Sequence, residues 1–469
     1  MGGLKGVQER LQTKADRMKK SVRHLRVGFG RIDITPSGSF PMGGYIERSG
    51  PSIGVHDPLY AKAAAFCCGK TSAVLVAIDI LYLSDGWTRN LKKAISREIG
   101  VPQKNILVAA THTHSGPAVF APIAGRANDI VRYEEGLLQD CVEAVRMTFA
   151  SAEPSRIRAG SLRSDGVASN RRDPTAICDD LLSVVRIEDV SGKARGHLVS
   201  FSCHATVMPP SNLEYSADLF GVSARNVEKR FPGSMCIMFN GAAGDSSTRF
   251  TRRRQTWAEL ERLGKKLADQ IIEAGRDSKP AGTEPIAAKT IRLRFPFRRI
   301  PPPEKAQKEY EEALKRVRDA ATDPDAGDEA RLLARAMVDG AAGQLFISRI
   351  GGWAPIFGSS AANVELQAVR VGDLIFCGLP GEFFGRRGAE LKKSALPKFG
   401  FIAGYANGYC GYAVPAPEAS KGGYETLMAP LRSSDEARIV REAKTLIRDV
   451  KKRPRPQGAN SPRKSVGNV

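Results

Sequence analysis

No two cysteines stand at C-x-x-C spacing in this 469-residue sequence, although it holds eight of them. Most sit inside apolar segments such as "AAAFCCGK" and "LIFCGLP", so they read as small buried hydrophobes in a reducing compartment, not as a zinc ribbon or a disulfide frame. Long apolar runs are missing too. Stretches like "SAVLVAIDILYL" are too short to span a bilayer and carry a charge. The polar, basic start "MGGLKGVQERLQTKADRMKK" has no signal-type apolar core, and "MGGLKG" has glycine where a myristoylation site wants Ser or Thr; a cytoplasmic location is the expectation. Acidic residues are in deficit, 50 against 71 Lys and Arg, a formal charge of +21. Part of that excess lies in "KADRMKKSVRHLR" and in "KKRPRPQGANSPRKSV", the second with the composition of a disordered tail. Aromatics are only 7% and are not interleaved with the basic residues, which argues against a stacking platform for single strands and against specific nucleic-acid binding.

What is present is the 42% hydrophobic, 26% charged balance of a globular chain. Short β-rich runs alternate with helical stretches. Strand candidates are "TSAVLVAIDI", "NILVAATHT", "LLSVVRIEDV", "GHLVSFSCHA" and "MCIMFNGAAG". Helix candidates cover 87–99, 130–150, 219–230 and 256–275, the last with Leu260, Leu263, Leu267 and Ile271 on one face. The alternation predicts an α/β fold of mixed sheets covered by helices, with functional residues on loops at strand ends. The charged stretch 303–345 reads as a helical hairpin leaving the core, its turn at "ATDPDAGDE". The expected division is a basic segment over 1–26, a catalytic domain over 27–435, and a terminal helix with a basic tail over 436–469. No internal repeat is visible.

Histidine is scarce, six in all, yet His112 and His114 sit together where the apolar run of "NILVAATHTHSGPAVF" stops. Residues two apart on a strand share a face, so both imidazoles should leave one side of a strand end. His204 in "HLVSFSCHATVMPP" ends another apolar strand. Glu382 follows the buried run and Pro-Gly turn of "LIFCGLPGEFFGRR". Each has a plain alternative: hydrogen-bonded histidines capping a strand, or a carboxylate favouring a helix N-terminus. Together they are compatible with three ligands converging on one edge of a sheet, a set that suits zinc. "FNGAAGDSSTRF" places Ser246 and Ser247 after a strand and lacks both the P-loop lysine and the Rossmann spacing. The tyrosines of "GYANGYCGYAVPAPEASKGGYET" are as readily packing as chemistry.

In order along the chain, "GRIDITP…MGGY", "LYAKAAAF", "THTHSGP", "HATVM", "NGAAGDSSTR" and "LPGEFFGRRG" resemble the catalytic domain of the neutral (non-lysosomal) ceramidase family, over about residues 27–430. The resemblance implies one Zn2+ per chain held by two histidines, a glutamate and a tyrosine. By motif these are His112, His204, Glu382 and Tyr424, the tyrosine lying twelve residues after Tyr412, which would contact the substrate carbonyl; Tyr409 competes with Tyr412 for that role. His114 matches the non-ligand histidine beside the zinc-bound water, Arg171 (with Arg172 next to it) the family's arginine, and Ser247 the serine of Gly-Asp-x-Ser. Thr248 and Arg249 stand where ceramidases have Pro-Asn, and only 45 residues follow Tyr424, against a further immunoglobulin-like domain in ceramidases. The expected activity is therefore zinc-dependent hydrolysis of an N-acyl amide other than ceramide, with room for a homo-oligomer. Two alternatives remain: a metal-dependent amidohydrolase of TIM-barrel type, and a non-enzymatic binding module that uses its basic surface.

Overall fold

The computed structural model describes residues 25–120 and 128–452. The expected N-terminal segment up to residue 24 and the expected tail beyond 452 lie outside the described residues.

Three sheets meet on one central core. The first has the order Ile106–Ala110, Thr71–Ile78, Tyr60–Cys68, Arg26–Asp33, Glu153–Pro154. The second runs Met235–Asn240, Ala194–Phe201, Leu181–Glu188, Arg156–Arg163, Lys279–Pro280. The third is Ile286–Pro296, Ala361–Val371, Leu374–Gly378, Phe399–Ala403. Phe66, Leu75 and Leu107 from the first sheet, Leu198, Ile237 and Phe239 from the second, and Val369, Phe376 and Phe401 from the third share the central cluster. Each such side chain contributes about 1.5–3 kcal/mol of burial. The outer faces are covered by helices: Asp85–Ile99 and Asn128–Ala150 on the first sheet, Asp218–Arg230 and Trp257–Arg276 on the second, Gly385–Ala395 and Ser433–Lys451 on the third. With both faces buried, strands read as nearly unbroken apolar runs: in "YAKAAAFCC", Ala63 and Ala65 face the helices and Ala64 and Phe66 the shared core. The fold is therefore mixed α/β. It is not the closed parallel barrel that the TIM-barrel alternative required.

The helix stripe read at 256–275 is real: Leu260, Leu263, Leu267 and Ile271 are all fully buried. Thr256 caps that helix by accepting a hydrogen bond from the Glu259 amide. The hairpin consists of Pro303–Thr322 and Asp328–Arg349. Its second helix does more than leave the core. Gly340 lies against Tyr424, where a Cβ would come within 3.1 Å of the Tyr424 Cα, and Gly343 lies against Met428. The hairpin thus packs on the loop that carries the tyrosines. No helix among the described residues is long and apolar enough to cross a membrane.

One feature of the topology positions the site. Each sheet contains a single parallel pair: Thr71–Ile78 with Ile106–Ala110, Ala194–Phe201 with Met235–Asn240, and Leu374–Gly378 with Phe399–Ala403. The carboxyl ends of these strands lead to His112, His204, Ser247, Glu382 and Tyr412. Isolated bridges between Thr113 and Ala205, between His204 and Ser247, and between Ala109 and Ala406 tie the exits together.

Candidate metal centre

The strand leading to His112 stops at Ala110, so the two histidines do not leave a strand face as the period-two argument expected. His112 has φ 66°, a left-handed turn, and its amide donates to the Ile80 carbonyl at 3.0 Å. That turn, not strand periodicity, brings His114 Nε2 within 3.2 Å of His112 Nε2. His112 Nδ1 lies 2.7 Å from the Leu81 carbonyl, and the Tyr405 ring stacks on the imidazole at 3.9 Å. His204 is held the same way, with Nδ1 2.7 Å from the Ala243 carbonyl. A carbonyl can only accept, so both Nδ1 atoms carry hydrogen and both Nε2 atoms present lone pairs to the centre.

Glu382 completes the convergence. Its short strand Glu382–Phe383 pairs in parallel with Tyr412–Ala413. Oε2 lies 2.9 Å from His204 Nε2 and 3.8 Å from His112 Nε2, while Oε1 accepts the Tyr409 hydroxyl. The helix-stabilising reading of Glu382 fails, because the N-terminus of Gly385–Ala395 is served by Asp245, whose Oδ1 accepts the Gly385 amide at 2.7 Å. Burial alone would raise the Glu382 carboxyl, but His112, His204 and the Tyr409 hydrogen bond outweigh it and hold the group at about 2. Burial likewise pushes His112 down to about 3, and burial with the neighbouring histidines pushes His114 well below its ordinary value.

Imidazole lone pairs and an ionised carboxylate oxygen therefore face one another in a buried space, and Glu382 Oε2 has no hydrogen-bond donor among the described residues. Such a set is repulsive without a cation and has the donor chemistry that suits a metal ion. The ligand atoms of His112, His114 and His204 all lie within 4.8 Å of one another, so the cluster can hold a metal ion.

Around it, the Tyr412 hydroxyl is 3.3 Å from His204 Nε2 and accepts Arg171 Nη2 at 2.7 Å. Arg171 Nε in turn donates to Glu425 at 2.8 Å. Arg172 turns away, toward Glu425 and the Gly422 carbonyl, each at 2.7 Å. Tyr424 lies edge-on to Tyr412 with ring centroids 5.8 Å apart, and its hydroxyl makes no hydrogen bond among the described residues. Ser247 is buried beside His204, but its Oγ accepts only the Arg249 amide, at 3.1 Å, with no hydrogen bond to a histidine among the described residues. Ser246 is occupied with the Ser202 carbonyl. His56 and His197 lie elsewhere, stacked on Trp257 and packed on Phe231.

Four contributors escaped sequence reading. The Leu81 and Ala243 carbonyls leave no signal in residue type. Tyr405 is one aromatic in a loop of several. Glu425, immediately after Tyr424, is buried and shared by two arginines, and an acid beside a candidate site tyrosine was the one available hint. The centre opens into a cavity of about 290 Å³ with His112, His114, Glu382 and Tyr412 at its polar end. Ile46, Leu81, Trp353, Ile356, Phe357 and Met428 form its apolar walls.

Residues 25–243 match the family model described as neutral/alkaline non-lysosomal ceramidase, N-terminal. The neutral ceramidase of Pseudomonas aeruginosa is 25% identical over 223 residues, 43% of this chain and 33% of that protein. Neutral ceramidase A of Dictyostelium discoideum is 25% identical over 238 residues, 46% and 33% of the two chains. The chain thus spans about a third of the length of these curated relatives. In three dimensions the crystal structure of the Pseudomonas aeruginosa neutral ceramidase matches with a TM-score of 0.70 at 18% identity, covering 92% of this chain and 75% of that one. Residues 25–243 thus resemble the N-terminal sequence of the neutral/alkaline non-lysosomal ceramidases, and the chain shares the fold of the Pseudomonas aeruginosa neutral ceramidase over nearly all of its length.

Proposed function

We propose that this chain is a zinc-dependent hydrolase that cleaves the carboxamide bond of an N-acyl amide other than ceramide. The observation that carries the proposal is the convergence of two imidazole Nε2 lone pairs and Glu382 Oε2, with both Nδ1 atoms committed to backbone carbonyls. His112, His204 and Glu382 would hold the ion. For the tyrosine we exchange the roles implied by the twelve-residue spacing. Tyr412 has its hydroxyl among the donor atoms and supported by Arg171, so it would be the fourth ligand. Tyr424 lines the cavity with an unengaged hydroxyl, which burial first of all raises to about 12, so it stays protonated and free to donate to the substrate carbonyl.

A zinc ion held by these residues would supply a bound water of pKa ~7 and Lewis-acid polarisation of the scissile carbonyl. The Tyr424 hydroxyl hydrogen-bonds the oxyanion of the tetrahedral intermediate, a donation typically worth about 3–4 kcal/mol. His114, buried and neutral, takes the proton that the attacking water gives up and returns it to the departing amine nitrogen. The apolar walls take the acyl chain and exclude bulk water, at about 0.8 kcal/mol per buried methylene. Ser247 supports the backbone beside His204 and forms no covalent intermediate.

The test is metal content of the purified protein, wild type against His112→Ala, together with hydrolysis of a panel of N-acyl amides. About one zinc per chain, lost with activity in the variant, is the expected result. Metal-free protein of undiminished stability would end the proposal and favour a non-catalytic binding role.

A further inference from the structure

Residues 243–247 supply none of the proposed ligands, yet their hydrogen bonds run to three segments of the centre. The Ala243 carbonyl accepts His204 Nδ1 at 2.7 Å, and the Ser246 carbonyl accepts the His204 amide at 2.9 Å. The Gly244 amide donates to the Phe383 carbonyl at 2.8 Å, and a Cβ on Gly244 would meet the Glu382 carbonyl oxygen at 2.6 Å. The Asp245 carbonyl accepts the Arg171 amide at 2.7 Å. Ser246 and Ser247 pair antiparallel with Asn170 and Ser169.

The Asp245 side chain joins two of these segments. Oδ1 accepts the amide of Gly385, in the segment that carries Glu382, at 2.7 Å. Oδ2 accepts Asn170 Nδ2, next to Arg171, at 3.1 Å. Asn170 can only donate here, because its Oδ1 already accepts the Arg172 and Asp173 amides at 3.0 and 3.3 Å. A carboxylate accepts on both oxygens, whereas asparagine would turn an N–H donor toward one of these two donors. Asp245 is buried, and burial raises its carboxyl to about 7, so an acid is kept where its charge is disfavoured. Capping the helix Gly385–Ala395 does not require one, since serine, threonine or asparagine also accepts a backbone N–H. The second oxygen is needed by Asn170, and through it by the backbone that delivers Arg171 to the Tyr412 hydroxyl.

Resting on the metal-dependent amidase reading, we propose that Asp245 is a positioning residue that holds the Glu382 segment and the Arg171–Tyr412 pair in register, with residues 243–247 as their common frame. It touches neither ion nor substrate. Loss of Asp245 therefore acts on the affinity and geometry of the metal site and not on substrate binding, because the cavity walls include none of residues 243–247.

The experiment titrates the cobalt(II)-loaded full-length protein with a chelating dye, in wild type, in Asp245→Asn and in Glu365→Gln. Glu365 serves as a control: it is a buried acid paired with Lys92 at 2.7 Å, with no hydrogen bond to the centre among the described residues. Asp245→Asn should weaken cobalt binding about 10- to 100-fold and change the intensity of the visible d–d bands. Glu365→Gln should lower the melting temperature and leave affinity and spectrum at wild-type values. With the ion saturating, kcat of Asp245→Asn for the best-cleaved amide of the panel should fall about tenfold while KM stays within about twofold. Wild-type affinity and spectrum in Asp245→Asn, or equal losses in Glu365→Gln, would overturn the inference and leave the metal centre standing. If Asp245→Asn does not fold, Asn170→Ala, which removes the donor to Oδ2, is read against the same two outcomes. A wild-type protein that takes up no cobalt would bring down the metal centre and this inference with it. Cobalt uptake without amide hydrolysis would end the amidase reading alone.

Discussion

Replacing Glu425 by glutamine tests whether the second layer of the centre is held by charge. Glu425 is 2% exposed and bridges Arg171 Nε at 2.8 Å and Arg172 Nη1 at 2.7 Å. Glutamine has the same shape, so no cavity opens. Its amide group, however, must turn N–H donors toward one of two guanidinium groups that also only donate. Removing one partner from a buried ion pair typically costs about 3–5 kcal/mol, and that is the expected loss in a urea melt at pH 7.5. Arg171 also carries the hydroxyl of Tyr412, the proposed fourth ligand, so kcat/KM should fall about 10- to 100-fold, as for other partners that orient metal ligands. The pH dependence has a definite sign. Burial works to raise the Glu425 carboxyl, but Arg171 and Arg172 hold it below its ordinary value. Its stabilising contribution is therefore complete above the unfolded value near ~4.3 and is lost as pH falls through the folded one. The gap between wild type and Glu425→Gln should narrow on acidification. A variant within about 1 kcal/mol of wild type at pH 7.5, with unchanged kcat/KM, would show that Arg171 does not depend on this carboxylate.

Three further substitutions separate other parts of the structure. Asp79 is buried behind the histidine turn, accepting Thr111 Oγ1 at 3.0 Å and the Tyr60 amide at 2.9 Å, and burial pushes its carboxyl up to about 6. Its contribution is favourable below the unfolded value and is lost as pH rises through 6, so Asp79→Asn should gain up to about 3 kcal/mol at pH 8 and nothing at pH 3.5, read from melts at both pH values. Gly44 has φ 101°, and a Cβ there would sit 2.5 Å from the His114 ring; Gly44→Ala should cut kcat by about tenfold or more while circular dichroism stays unchanged. Ser247→Ala should keep most of kcat, because no histidine among the described residues is hydrogen-bonded to Ser247, and a burst of amine release in wild type that vanishes in the variant would restore a covalent step.

Much of the architecture could be read from residue patterns. The helix over Trp257–Arg276 announced itself through leucines three and four apart, and the strands through apolar runs closed by small residues. Which strands would be parallel neighbours had no local signature, since register between distant segments is decided by the shared core. The histidines were conspicuous by rarity, but the reason they converge was misread: a left-handed residue at 112 is invisible in a sequence that does not place glycine there. Glu382 illustrates the same limit in reverse. Its position before a helix gave it a local explanation that Asp245, 137 residues earlier, in fact supplies. The tyrosines were the least legible, because a loop of irregular backbone assigns roles by geometry alone.

The three parallel strand pairs also have a thermodynamic consequence. Their exits deliver His112 and His204 from within the stretch 25–243, but Glu382 and Tyr412 from beyond it, so that stretch alone does not present the proposed donor set. An ion that recognises only the assembled set binds the native state and not the unfolded one. At a thousandfold excess over its dissociation constant it would deepen the folding well by about 4 kcal/mol. On the proposed reading, metal supply would be coupled to the survival of the whole chain, and chelation should act on this protein as a denaturant as well as an inhibitor.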